Sequence, residues 1–221
     1  MSVEDHDDPQ DAAHDEPEAA RRFTVADARA KAQQARAKAE FILSRAYGLL
    51  REPKKEWAQI RDEITTIPNI LIGYVAPLAA IAPVADLLGK LIFQPAGIGS
   101  IGKALIGAVV AWVVTVAMVY LLGIIIATIA ENFDSRKDDL ASQKLAAYAL
   151  TPFFLSTITL LYPPLLWVPV IALGAMVFLI YRGLPILLNT PPERAMGYTA
   201  TVTIAALVTF IVQMALAGCV A

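Results

Sequence analysis

The 221-residue chain is poor in the side chains that carry most enzyme chemistry, with one cysteine, two histidines and only 17% charged residues. The lone Cys219 excludes an internal disulfide and a cysteine-based metal cluster. His6 and His14 stand among carboxylates without rigid spacing, so a solvated acidic stretch is the expectation there, with no metal and no cofactor. The long apolar runs hold no Asp, Glu, Lys or His deep inside them. Catalysis needs a base beside a nucleophile, paired carboxylates or a metal, so an intramembrane protease is not supported and no enzyme activity is expected. The same lack counts against a proton-coupled carrier, because buried ionisable groups are costly in lipid and mark such pathways. The opening Met1-Ser2-Val3-Glu4-Asp5-His6 has no basic n-region, so a cleaved secretory signal is not expected either.

What the chain does have is apolar bulk, 57% of its residues, and this makes the membrane its natural solvent. The net charge of -2 averages over three zones. Residues 1–20 carry eight carboxylates, from Glu4 to Glu18, and no Lys or Arg, which predicts a disordered acidic tail. Residues 21–65 are predicted to form cytoplasmic basic amphipathic helices. Thr24, with Asp27 three residues on, suits a helix start, and a stripe of Ala35, Ala39, Ile42, Leu43, Ala46 and Leu49 or Leu50 runs toward Arg51. Pro53 ends this helix and opens a short second one, in which Trp57, Ile60 and Ile64 recur beside Lys54, Lys55 and Arg61.

Such a stretch could lie on an anionic membrane surface, bind a partner helix or pack against the bundle it precedes. Trp beside Lys suits a headgroup interface. Arg45, Arg51, Lys54, Lys55, Trp57 and Arg61 are therefore the candidate membrane-interface or partner contacts. Interspersed acids, including Glu40, Glu52 and Asp62, argue against nucleic acid.

Residues 66–221 contain five runs long and apolar enough to span a bilayer, at about 67–88, 105–130, 140–161, 165–181 and 195–217. The fold class expected is an all-α polytopic membrane protein, five transmembrane helices preceded by amphipathic ones. Lys and Arg crowd the region before the first span, the second connection (Arg136, Lys137, Lys144) and the fourth (Arg182, Arg194), whereas the opposite side has only Lys90 and Lys103. By the positive-inside rule the N-terminus is cytoplasmic and the C-terminus outside. Arg182, late in span four, can snorkel to the cytoplasmic interface, and Asp86 can pair with Lys90 four residues on.

Residues 97–102, Gly-Ile-Gly-Ser-Ile-Gly, formally match a dinucleotide fingerprint. They follow a membrane span rather than a strand and have no acidic residue about 20 positions on, so a flexible outer loop is expected. Prolines 77, 83, 152, 169 and 185 predict kinks in spans one, three and four. Pro152 leaves a carbonyl that Thr151, Ser156 or a neighbouring helix could satisfy. Gly123 with Ala127, and Thr199 with Thr203, allow close helix approach. The charged connection Glu131–Lys144 is a second surface open to a partner.

Four segments, in this order and spacing, resemble the Yip-one domain family. They are residues 50–57 (Leu-Arg-Glu-Pro-Lys-Lys-Glu-Trp) with Ile60, residues 73–78 (Gly-Tyr-Val-Ala-Pro-Leu), residues 145–152 (Leu-Ala-Ala-Tyr-Ala-Leu-Thr-Pro), and Gly183-Leu184-Pro185 with residues 190–198 (Thr-Pro-Pro-Glu-Arg-Ala-Met-Gly-Tyr). The resemblance covers roughly residues 45–215 and is closest to the bacterial branch, which implies the bacterial inner membrane, five spans and a cytosolic N-terminus. Eukaryotic members interact with Rab GTPases, but the Asp-Leu-Tyr-Gly-Pro motif of their cytosolic region is missing here, so that partner is not carried over. Pro77, Tyr148, Thr151, Pro152, Gly183 and Pro185 are the candidate kink or packing positions. The expected function is non-enzymatic membrane organisation or partner recruitment, with membrane lipids, a cytosolic protein or a second copy as partners. A transporter or channel for a small or lipid-like solute is the alternative.

Overall fold

The computed structural model of the protein describes residues 16–93, 98–165 and 167–218. His6, His14, Gly97, Cys219 and the first fifteen residues of the acidic stretch lie outside them. The chain divides into two compact units, residues 1–44 and 45–221.

In the first unit, helix α1 (Glu16–Arg51, continuing into the second unit) starts ahead of Thr24, where the sequence suggested a cap. Pro17 is tolerated in a first turn. Side chains from Asp27 to Phe41 are exposed, Ala35 and Ala39 included.

The second unit contains the end of α1, helix α2 (Pro53–Asp62) and five apolar helices long enough to cross a membrane: Ile67–Phe93, Gly102–Phe133, Asp139–Leu161, Val168–Leu187 and Pro192–Leu216. The chain is thus an all-α polytopic membrane protein. Each helix start has a local cause. Pro53 occupies the first turn of α2. Thr66 Oγ1 accepts the Asn69 N–H at the head of span one, and Asp138 Oδ1 accepts the Ala141 N–H at the head of span three. Prolines begin spans four and five.

Two expectations change. Residues 98–102 are not a loop: they form the opening of the helix Ile98–Ile129, in which no proline interrupts the run. Span four continues past Tyr181 to Leu187, since Leu184 and Leu187 are buried by packing and Pro185 stays inside the helix without ending it.

Prolines in spans one and three disturb the ladder locally. A π-helical turn, Leu71–Val75, precedes Pro77, with the Ala76 N–H reaching the Leu71 carbonyl. Pro152 would orphan the Tyr148 carbonyl, and Thr151 Oγ1 donates to that oxygen at 2.7 Å. Spans two and three approach closely at Gly123, where an added Cβ would stand 2.1 Å from Gln143 Oε1 and 3.2 Å from its Cα. Gln143 Nε2 donates to the Val119 carbonyl.

Candidate functional site

The residues singled out in the sequence converge on one end of the bundle, around α2. The chain turns at Glu52, whose N–H returns to the Gly48 carbonyl at 2.8 Å. Gly48 leaves room for the Glu56 carboxylate, whose Oε2 a Cβ there would meet at 2.3 Å and displace. The turn lays α2 back on the bundle with its apolar side inward, and Trp57 and Ile60 are completely buried.

Trp57 stacks into a notch that only glycine provides. A Cβ on Gly183 would lie 2.6 Å from Leu145 Cδ1 and 2.9 Å from Trp57 Cε2. Gly183 on span four and Leu145 on span three therefore form the seat for the indole. Its Nε1 has no hydrogen-bond partner, so shape and apolar burial hold the ring.

Lys144 seals the other end of α2. Its Nζ donates to the carbonyls of Ile60 at 2.6 Å, Arg61 at 3.1 Å and Glu63 at 2.8 Å. These are oxygens a helix C-terminus leaves unpaired, and a cation there also complements the helix dipole. The sequence reading assigned Lys144 to the count of loop charges and missed this role. A lysine beside the apolar run Leu145–Leu150, one turn before Tyr148, was the available signal.

Arg45 joins α1 to the same lock, donating to Glu56 Oε1 at 2.8 Å and Glu63 Oε2 at 2.7 Å. Its guanidinium lies 5.6 Å from the centroid of the Tyr148 ring. Tyr148 packs against Tyr74 with centroids 4.5 Å apart. Since the Thr151 hydroxyl hydrogen goes to the Tyr148 carbonyl, Tyr74 is the donor in its 2.8 Å contact with Thr151 Oγ1. Arg45, Tyr74, Tyr148, Thr151 and Pro152 are thus one connected polar core joining α1, α2, span one and span three.

The remaining candidates face outward. Arg51, Lys54, Lys55 and Arg61 are exposed, as is the whole of Ile64 just after α2. Arg51 donates to the Tyr47 hydroxyl, and Lys55 pairs with Glu52 at 3.3 Å. The hydrogen bond from Arg61 holds the Asp62 carboxyl below its ordinary range and raises the guanidinium in turn, and both groups stay exposed. Pro185 is exposed on span four.

The connections at this end interlock as well. Ser135 Oγ contacts Thr190 Oγ1 at 2.9 Å, and Thr190 Oγ1 contacts the Leu184 carbonyl. Arg136 N–H donates to the Leu188 carbonyl, Arg194 pairs with Asp134, and Tyr198 donates to the Ile126 carbonyl at 2.6 Å while stacking on Phe133. Asp134 and Asn189 both take the left-handed backbone conformation, with φ of 53°, as these turns require.

The family profile of the Yip1 domain matches residues 47–213, which span α2 and nearly all of the five-helix bundle. The chain belongs to the Yip1 domain family. Among curated proteins it is similar to the inner membrane protein YohC of Escherichia coli K12, with 31% identity over 169 residues, 72% of this chain and 86% of that one. The same protein from E. coli O6:H1 matches equally. No solved structure matches. The joints just described fall within the matched region: the Pro53–Trp57 turn and helix, Tyr74, Tyr148 to Pro152, Gly183, and Thr190 with Tyr198. Arg45 lies just before the matched region. Among the described residues no group of three or more His, Cys, Asp or Glu side chains is placed to hold a metal.

Proposed function

We propose that this Yip1-domain protein organises the lipid around it without catalysing a reaction, resides in a bacterial inner membrane with its N-terminus in the cytoplasm, and uses α2 as a fixed basic shelf against anionic headgroups. One observation carries the reading. Trp57 and Ile60 are spent on docking α2 to the bundle, while Arg51, Lys54, Lys55 and Arg61 are left exposed at its end. A helix held this way cannot leave the membrane surface, so its cations are held near the headgroups, where basic residues are drawn to anionic lipid. The excess of Lys and Arg on the same side of the sequence supports the orientation.

The test uses the full chain extracted from its native membrane with a surrounding ring of lipid. The anionic fraction of that ring should exceed the bulk value and fall to it in the variant Arg51→Gln, Lys54→Gln, Lys55→Gln, Arg61→Gln. A ring of bulk composition around the unaltered chain would dismiss the lipid reading. An unchanged ring in the variant, with loss of a cytosolic protein that bound the unaltered chain, would assign the shelf to protein recruitment.

A cleft of about 230 Å³ supports a second reading, a path for a small or lipid-like solute. All five spans line it, through residues including Ala82, Thr115, Phe153, Val170 and Gln213. Its wall is apolar except for threonines and Gln213, whose Nε2 donates to Thr115 Oγ1 at 2.7 Å. That surface suits a weakly polar solute and no ion. Flux through reconstituted protein that Ala82→Trp abolishes would favour this reading, and flux no greater than in empty vesicles would remove it.

A further inference from the structure

A second surface, on the side of spans four and five, carries a cation that no carboxylate among the described residues neutralises. Arg182, late in span four, has its guanidinium 5.4 Å from the centroid of the Phe178 ring, one turn earlier. That is the direction helical side chains lean. Its Nε is buried without a hydrogen-bond partner, and among the described residues no carboxylate pairs with it. An arginine in a span without a partner is costly, and such residues are kept where something else supplies the counter-charge.

Phe178 is also a wall of a groove of about 640 Å³ between spans four and five, floored in part by Gly174, Thr199 and Thr203. No atom stands within 4 Å of where a Cβ on Gly174 would be, so the groove is open there. The threonine hydroxyls do not face it as free donors: Thr199 Oγ1 donates to the Ala195 carbonyl and Thr203 Oγ1 to the Thr199 carbonyl. What remains is an apolar trough. From Tyr181 to Gly174 it runs seven residues, about 10 Å along the helix, with Arg182 next to Tyr181 at that end. That fits within the roughly 15 Å thickness of one hydrocarbon leaflet. Tyr181, which lines the same groove beside Arg182, is a residue type suited to the headgroup boundary.

The geometry points to a site for one anionic phospholipid, with an acyl chain in the groove between spans four and five and the phosphate on the Arg182 guanidinium. Charge complementarity selects the occupant. A second copy of this chain would bring apolar surface but would leave Arg182 unpaired, unless it also brought a carboxylate. A zwitterionic lipid would fill the trough yet carry its own cation to the same place. A phosphate monoanion satisfies both the charge and the planar donor fork of arginine. The inference does not depend on the α2 shelf.

The test counts lipids retained by the purified full-length protein, by native mass spectrometry, after exchange into nanodiscs of phosphatidylcholine alone or mixed with phosphatidylglycerol. One phosphatidylglycerol per chain should persist preferentially. Arg182→Gln should weaken its retention about ten-fold, the factor expected for a lost charge-assisted hydrogen bond. Arg182→Lys should keep part of it. Gly174→Leu places a side chain in open space and should reduce retention of both lipids without loss of folding. Neutralising the four α2 cations should leave this tightly held lipid in place, which separates its fate from that of the shelf. Unchanged retention in Arg182→Gln or in Gly174→Leu would overturn the site. So would Thr203→Cys chains that cross-link to one another across the groove, since a second copy would then occupy it.

Discussion

The two ends of the five-helix bundle are built on different principles. At the α2 end, charged and polar side chains are buried and paired: Lys144 on three carbonyls, Arg45 on two carboxylates, Tyr74 on Thr151, Tyr198 on a span-two carbonyl. At the opposite end the described contacts are mostly apolar. There Gly89 lets span one approach the Leu160 carbonyl, Phe93 meets Tyr162, and the Asp86–Lys90 pair stands in the open at 2.8 Å. Each buried polar group must be satisfied from a fixed direction, whereas apolar contacts slide. The α2 end is therefore the one with a single geometry.

Changes at the two ends should differ in size, and the largest effects belong to the α2 end. Trp57→Ala removes a fully buried ring from the Gly183 notch and should cost about 3–5 kcal/mol, read from thermal unfolding together with hydrogen exchange across α2. Lys144→Met keeps the bulk but uncaps three carbonyls, and a loss of about 2–3 kcal/mol is expected, with early exchange confined to α2. Thr151→Val deprives both the Tyr148 carbonyl and the Tyr74 hydroxyl of their partner and should cost about 1–2 kcal/mol in the same unfolding assay. The far end supplies the smallest effect. Lys90→Ala breaks an exposed pair and should shift stability by no more than about 0.5 kcal/mol. If Lys90→Ala matched Lys144→Met, the contrast between the ends would collapse.

Much of this was legible in the sequence, and the limit has a physical reason. Five spans follow from apolar run length, α2 from Pro53, and the repair of the Pro152 gap from the threonine beside it. Periodicity shows that α2 has an apolar stripe, but it does not say what covers the stripe. Trp57 just after Lys54 and Lys55 fits a headgroup layer as well as a protein notch, and the notch is Gly183, remote in sequence. Lys144 was hidden for a similar reason: its partners are backbone oxygens, which leave no mark on side-chain patterns. In each case the missing information was the identity of a distant neighbour.

The central claim is that α2 is docked on the bundle through Trp57 and is not laid on lipid by it. The most direct measurement is the fluorescence contributed by Trp57, taken as the difference between the unaltered protein and Trp57→Phe in vesicles containing headgroup-level brominated lipid. The docked helix predicts a blue-shifted difference spectrum that neither the brominated lipid nor aqueous acrylamide quenches, because the indole has no exposed surface. Strong quenching by the brominated lipid would put Trp57 in the headgroups and contradict the account.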